Sequence, residues 1–277
     1  MKVIFSGLIT VLLLAAAPLA AQTNQTIQEL KASAEKGDAE DQLRLGLHYY
    51  DGNGVTKDNV EAVRWILKSA KQNLALAQSF LGICYRDGIG TAKDQIEAVK
   101  WFRKAAEQGD ADAQYELGCA YYTGTGVGKD FVEAVKWVRK AAQQNNADAQ
   151  FSLGDSYASG KGVSQDEIEA AKWYRKASEQ DQTDAQNNLG VSYAFGTGVV
   201  KDYVESYKWL NLAAAKGSET SKKLMSVLEN KMTPEQIAEG QKLAREFKPR
   251  KASAFGDFNL LKNFTTNSAT QISSPTK

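Results

Sequence analysis

The chain has 277 residues, with 34 Lys or Arg against 33 Asp or Glu. Setting aside Lys2, which lies in a leader-like segment, the balance is 33 to 33, so neither nucleic acid nor an anionic membrane surface is expected as the main partner. His48 is the single histidine, which excludes His-based triads, zinc-enzyme ligand sets and His-x-x-x-His sites.

Residues 1–21 carry Lys2, an apolar run from Val3 to Ala17 and then Pro18-Leu19-Ala20-Ala21. That order is the basic start, apolar middle and small-residue exit of a secretory signal peptide, with cleavage expected after Ala21. The run is shorter than the ~18 residues that span a bilayer, so no stable membrane insertion is expected after cleavage. No cysteine follows the run to carry a lipid. A polar stretch from Gln22 leads to Thr26-Ile27-Gln28-Glu29, which reads as a capping box opening a helix. Residues 22–37 are thus expected to form an N-terminal capping helix that stops at Gly37, with Glu29 where later units have a tryptophan.

From 38 to 217 the chain repeats every 36 residues, in five copies starting at Asp38, Leu74, Asp110, Asn146 and Gln182. Trp65, Trp101, Trp137, Trp173 and Trp209 keep that step, as do Gln42, Gln78, Gln114, Gln150 and Gln186 and the Leu-Gly pairs beginning at Leu45. A fixed period of this length is the mark of stacked repeats. Each copy divides into two helices. Helix A of the first copy is expected over about Ala39 to Asp51, ending at Gly52, with Gly46 letting a neighbouring helix approach closely. Helix B opens with Asp58-Asn59-Val60-Glu61, and the same D-x-x-E at 94, 130, 166 and 202 predicts a capping box in every copy. It ends at a residue tolerant of positive φ: Asn73, Gly109, Asn145, Asp181 or Gly217. The Trp rings are expected to be core, each able to bury ~150 to 250 Å².

After Gly217 no tryptophan follows, and 218–247 is expected to hold two closing helices. The second starts at Thr233-Pro234-Glu235-Gln236, a capping box with Pro in the first helical position, and uses Ile237, Leu243 and Phe247 as its apolar side. Residues 248–277 read as a polar, disordered tail in which Phe255, Phe258, Leu260, Leu261 and Phe264 offer docking groups. Export would permit a disulfide, but Cys84 and Cys119 are 35 residues apart, one short of the repeat, so a bond and two buried thiols both stay open.

The stretch A-x-Y-E-L-G-C-A-Y-Y-T-G-T-G-V-G-K-D-F-V-E-A-V-K-W-V-R-K-A-A, Ala113 to Ala142, resembles the Sel1-like repeat, a relative of the tetratricopeptide repeat. L-G-x-x-Y, G-x-G-x-x-x-D and A-x-x-W-x-x-K-A-A occur together in order, and the likeness covers 180 of 277 residues. Departures are small: Asp41 for Ala, Asn73 and Asp181 for a linker Gly, Ser206 for Ala. The ending M-T-P-E-Q-I-A from Met232 is similar to the closing helix of exported bacterial members. The resemblance implies an all-α fold, a right-handed αα superhelical solenoid of five repeats, used as an adaptor in envelope assembly or signalling.

Motifs for other chemistry are incomplete. Ser33-Ala34-Glu35-Lys36 has the Ser-x-x-Lys spacing without its Ser-Asp-Asn or Lys-Thr-Gly companions. Gly124 to Lys129 lacks the spacing and the Ser or Thr of a phosphate loop and recurs as the inter-helix loop of every copy. The helix B pairs Arg64 and Lys68, Lys100 and Lys104, Lys136 and Lys140, Lys172 and Lys176 follow a Glu by three residues, which predicts a neutralised outer face. No catalytic, metal or cofactor residues are expected, and the chain reads as a non-enzyme. Recognition should lie where the repeat does not dictate the residue on helix A: Arg44, Phe80, Tyr115 and Phe151, then Tyr50, Arg86 and Tyr122. If helix A lines the concave side, as the resemblance implies, these residues form an aromatic and Arg groove for a protein or peptide. A cell-wall glycan is the alternative ligand, and an envelope hydrolase the remaining rival reading.

Overall fold

The computed structural model describes residues 27–250, so the signal-peptide reading, the Thr26 capping box and the apolar residues of the tail beyond Arg250 lie outside the described residues. The thirteen helices described are α1 (Ile27–Glu35), α2 (Ala39–Asp51), α3 (Asn59–Lys71), α4 (Ala75–Asp87), α5 (Gln95–Glu107), α6 (Ala111–Thr123), α7 (Phe131–Gln143), α8 (Ala147–Ser159), α9 (Glu167–Glu179), α10 (Thr183–Phe195), α11 (Tyr203–Ala215), α12 (Glu219–Glu229) and α13 (Pro234–Glu246). The fold is an all-α repeat solenoid whose described helices divide into two compact units, one ending at Lys93 and one starting at Asp94.

Helix boundaries follow from satisfying the amides and carbonyls that each helix end leaves over. Asp58 Oδ1 accepts from the Val60 and Glu61 amides at 2.9 and 3.1 Å, and Asp94, Asp130 and Asp202 repeat the geometry. The second half of the expected capping boxes does not form in helix B. Glu61, Glu97, Glu133 and Glu169 turn instead to the cation three residues on, at 2.5 to 3.0 Å. A reciprocal box is seen at Thr233, whose hydroxyl caps Gln236 while the Gln236 side chain accepts from the Thr233 amide. Helix B ends at Asn73, Gly109, Asn145, Asp181 and Gly217, all with positive φ.

The glutamine period has a structural cause. In unit 1, Gln42 and Gln78 donate from Nε2 to the carbonyls of Ala34 and Ala70, in the last turn of the preceding helix, at 2.9 and 3.2 Å. In unit 2, Gln114, Gln150 and Gln186 do the same to Ala106, Ala142 and Ser178. Each fills an orphan carbonyl that would otherwise be buried unpaired. The oxygens of Gln42, Gln114 and Gln150 then accept from Gln72, Gln144 and Gln180, at 2.8 Å in each case, whereas the Gln186 oxygen is buried without a hydrogen-bond partner among the described residues.

In unit 1, α1 closes the array with Leu30 and Ala34 against Leu45 and Trp65. Gly46 lies so close to α3 that an added Cβ would stand 2.7 Å from Ile66 Cγ1. Cys84 is buried, both cysteines are thiols, and burial pushes the Cys84 thiol up to about 11. In unit 2, Val135, Val138, Ala141, Ala149 and Leu153 form one buried cluster, and Tyr174, Leu189, Tyr193 and Trp209 form the next. The loop glycine Gly126 presses on the α5 backbone: an added Cβ would fall far inside 3.0 Å of the Gln95 carbonyl. At the C-terminal end α12 and α13 cover α11, with Phe247 edge-on to Trp209 at 5.4 Å and Arg250 paired with Glu179 at 3.0 Å.

The tryptophans are core only in part. Trp65, Trp137 and Trp209 are buried, whereas Trp101 and Trp173 keep an accessible edge. The second cation of each helix B pair lies over a ring, Lys68 on Trp65 at 3.6 Å, Lys104 on Trp101 at 4.2 Å, Lys140 on Trp137 at 3.9 Å and Lys176 on Trp173 at 4.0 Å. The exposed side of helix B is therefore built, within each unit, from Glu–cation pairs and cation–π contacts in alternation.

Candidate interaction surface

One row of helix A holds exposed and half-buried side chains, some of which reach helix B of the same copy. On α8 these are Asp148, Phe151, Ser152, Asp155 and Ser159, spaced three and four apart. The seven residues singled out by sequence fall into three registers of helix A. Arg44 and Phe80 share one, Tyr115 and Phe151 the preceding one, and Tyr50, Arg86 and Tyr122 the last turn.

In unit 1, Arg44 is ion-paired with Asp41 at 2.9 Å. Tyr50, at the end of α2, has the Lys57 ammonium over its ring at 5.5 Å. Arg86 holds Asp87 at 2.7 Å and keeps that carboxyl below its usual range, and Phe80 is half-buried on α4. In unit 2 the aromatics divide. Tyr115 packs against the cluster of Val138 and Leu153, its hydroxyl 3.4 Å from Ser152 Oγ, and burial raises its pKa strongly. Phe151 packs 6.1 Å from the Tyr174 ring. Both fill the seam between repeats more than they face solvent. Tyr122 is 38% exposed, meets Phe131 edge-on at 5.0 Å and accepts from Lys161 Nζ at 3.0 Å.

Three features escaped the sequence reading. The tyrosine of each L-G-x-x-Y in unit 2 is held by an arginine 18 residues earlier: Arg103 donates to Tyr121 at 2.7 Å, Arg139 to Tyr157 at 2.9 Å, and Arg175 to Tyr193. Phe195, at the end of α10, is 69% exposed. Asp155 stands where the other copies have Leu47, Ile83, Cys119 and Val191. Its Oδ1 accepts from the Tyr174 hydroxyl at 2.6 Å and Asn188 Nδ2 at 3.1 Å, and burial raises its pKa despite those bonds. The signal available in the sequence was the break in an otherwise apolar or small period.

The motifs set aside have ordinary places. His48 Nδ1 lies 2.6 Å from the Asn53 carbonyl at the end of α2. Ser33 and Lys36 sit at the end of α1, where the Lys36 amide donates to the Ser33 carbonyl. Lys129 lies over the Phe131 ring at 4.8 Å. Among the described residues there is no group of three or more His, Cys, Asp or Glu placed to hold a metal. No described helix is long and apolar enough to cross a membrane.

Comparison with known proteins agrees with this architecture. A family model described as the Sel1 repeat matches residues 39–74, 75–110, 111–146, 147–182 and 183–218. A 57-residue stretch, 21% of this chain, is 40% identical to the secretory immunoglobulin A-binding protein EsiB of Escherichia coli O6:H1. Among solved structures, the chain is similar to a Sel1 repeat protein from Oxalobacter formigenes, with TM-score 0.67, 33% identity and 73% of this chain covered. It is also similar to c5321, a protective antigen present in uropathogenic Escherichia coli strains, with TM-score 0.57, 31% identity and 91% of this chain covered. The matched parts make up 12% of EsiB and 59% and 60% of the two solved chains. With five consecutive matches over 180 of its 277 residues, the chain belongs to the Sel1 repeat family, whose members typically mediate protein–protein interaction.

Proposed function

We propose that this chain is an exported, non-enzymatic adaptor whose helix A face binds a protein or peptide. The observation that carries this reading is the contrast between the two faces. On helix B the cations are engaged by Glu and Trp in every copy from Arg64 to Lys176. On helix A the side chains differ from copy to copy and include the accessible Tyr122 and Phe195. Variation on a rigid scaffold is how a repeat array acquires specificity, because a preformed surface loses little entropy on binding. The apolar segment within residues 1–21 supports export, and a relative named for binding an immunoglobulin supports a protein ligand.

The test is affinity capture from an envelope fraction with three baits: wild type, the triple variant Tyr50→Ala/Arg86→Ala/Tyr122→Ala, and the helix B variant Lys100→Ala/Lys136→Ala. Circular dichroism checks that all three are folded. A protein retained by wild type and the helix B variant but lost by the triple variant is expected. Equal recovery by all three would remove the helix A reading, and turnover of peptidoglycan by the purified chain would remove the non-enzymatic one.

A further inference from the structure

We propose that Asp155 is the anchor for a basic side chain of the partner, so that the helix A face of the second unit selects segments carrying Lys or Arg. This rests on the proposed binding at that face and names the chemistry it recognises.

Three residues depart from the repeat together. Asp155 replaces an apolar or small residue, Tyr174 stands where other copies have Ile66, Phe102, Val138 and Leu210, and Asn188 follows Arg44, Phe80, Glu116 and Ser152 in its register. A half-buried carboxylate in an apolar register costs stability unless it is hydrogen-bonded, and stacking does not require one, since four copies do without it. Here Tyr174, itself buried, and Asn188 both donate to Oδ1, which fixes the carboxylate and leaves Oδ2 unengaged among the described residues. A carboxylate held by one oxygen with the other unused is an oriented acceptor for an ammonium or guanidinium group.

The surroundings favour a cation. Helices α6, α8 and α10 carry Asp112, Glu116, Asp148, Asp155 and Asp184 and no Lys, Arg or His. The nearby cation, Lys161, has its ammonium on the Tyr122 hydroxyl at 3.0 Å. Arg103, Arg139 and Arg175, on the helices that precede α6, α8 and α10, are committed to tyrosines of the L-G-x-x-Y motif. A partner cation approaching Asp155 thus meets a carboxylate oriented by Tyr174 and Asn188 on an acidic set of helices, with Lys161 the cation of this chain that acts on it.

The probe is a displayed library of random twelve-residue peptides, panned on the full chain and on D155N and Y174F. Asn keeps the shape and the hydrogen bonds at 155 without the charge, and Y174F keeps the charge but frees the carboxylate. Wild type is expected to enrich peptides with Lys or Arg at one fixed position, and D155N to lose that enrichment. For a selected peptide, D155N and a Lys→Gln change in the peptide should each weaken binding about tenfold, with no further loss when combined, as for a directly coupled charge pair. Y174F should weaken the peptide less than D155N. Enrichment without a fixed basic residue, or additive losses, would overturn the inference while leaving binding at the face intact. No enrichment on folded wild type would count against both.

Discussion

Gly126 tests how the repeats stack. It has φ +72°, and a Cβ there would fall far inside 3.0 Å of the Gln95 carbonyl carbon and oxygen and 3.0 Å from Val99 Cγ2. Gly109 has φ +96° and nothing within 4 Å of the same hypothetical atom. Changing either to Ala therefore imposes a similar backbone penalty, about 1 kcal/mol for an L-residue in the left-handed region. Gly126→Ala adds a collision with main chain that cannot rotate away, about 2 kcal/mol more on the scale of overpacked sites. Urea unfolding followed by Trp fluorescence and by circular dichroism should show a small fall in midpoint for Gly109→Ala and a fall about three times larger for Gly126→Ala. Because stability in a repeat array is a sum of units and interfaces, the larger loss should also broaden the transition or split the two probes. Equal shifts for the two variants would refute the idea that this glycine is needed for close approach of loop to helix.

At Asp155 the folded carboxyl is raised above its ordinary 3.8 by burial, so between those two values the folded state holds more protons than the unfolded one. Stability from this group therefore falls as pH rises through that window, and D155N should lack the trend; an identical pH profile for both would contradict it. Cys84, pushed up to about 11 and buried, is about a thousandth thiolate at pH 8, so iodoacetamide should modify it at least ~100-fold more slowly in the native chain than in urea. Equal rates, read by peptide mass spectrometry, would argue against its burial. Tyr157→Phe removes the acceptor of the 2.9 Å bond from Arg139 while keeping the ring beneath the guanidinium at 5.4 Å, and should cost about 1 kcal/mol in urea titration. No measurable change would mean the ring contact alone ties those repeats together.

The helices were legible because their causes are local. Ala39 to Asp51 was readable from its own apolar spacing and Gly52, and the positive-φ stops at Asn73 and Asp181 from residue type. What sequence could not show is which of two local partners a side chain takes. Glu61 had both a capping amide and Arg64 within reach, and it takes Arg64. Contacts between consecutive repeats were equally hidden, since Arg139 meets Tyr157 only once the rise and rotation per repeat are fixed. On the candidate face the packing of individual residues was not legible: Tyr115 and Phe151, one position before the register of Arg44 and Phe80, pack against buried clusters. The mark of Asp155 in the sequence is a single break in an otherwise apolar or small period, and its bonds to Tyr174 and Asn188 are visible only in the fold.

The central claim is that helix A carries the recognition. Photoreactive benzoylphenylalanine at Ser159, exposed on α8, and separately at Lys136, exposed on the outer face of α7, would locate a partner directly when irradiated in the native envelope. The account requires a discrete adduct from position 159 and none of that mass from position 136. The same adduct from both positions, or from position 136 alone, would contradict it.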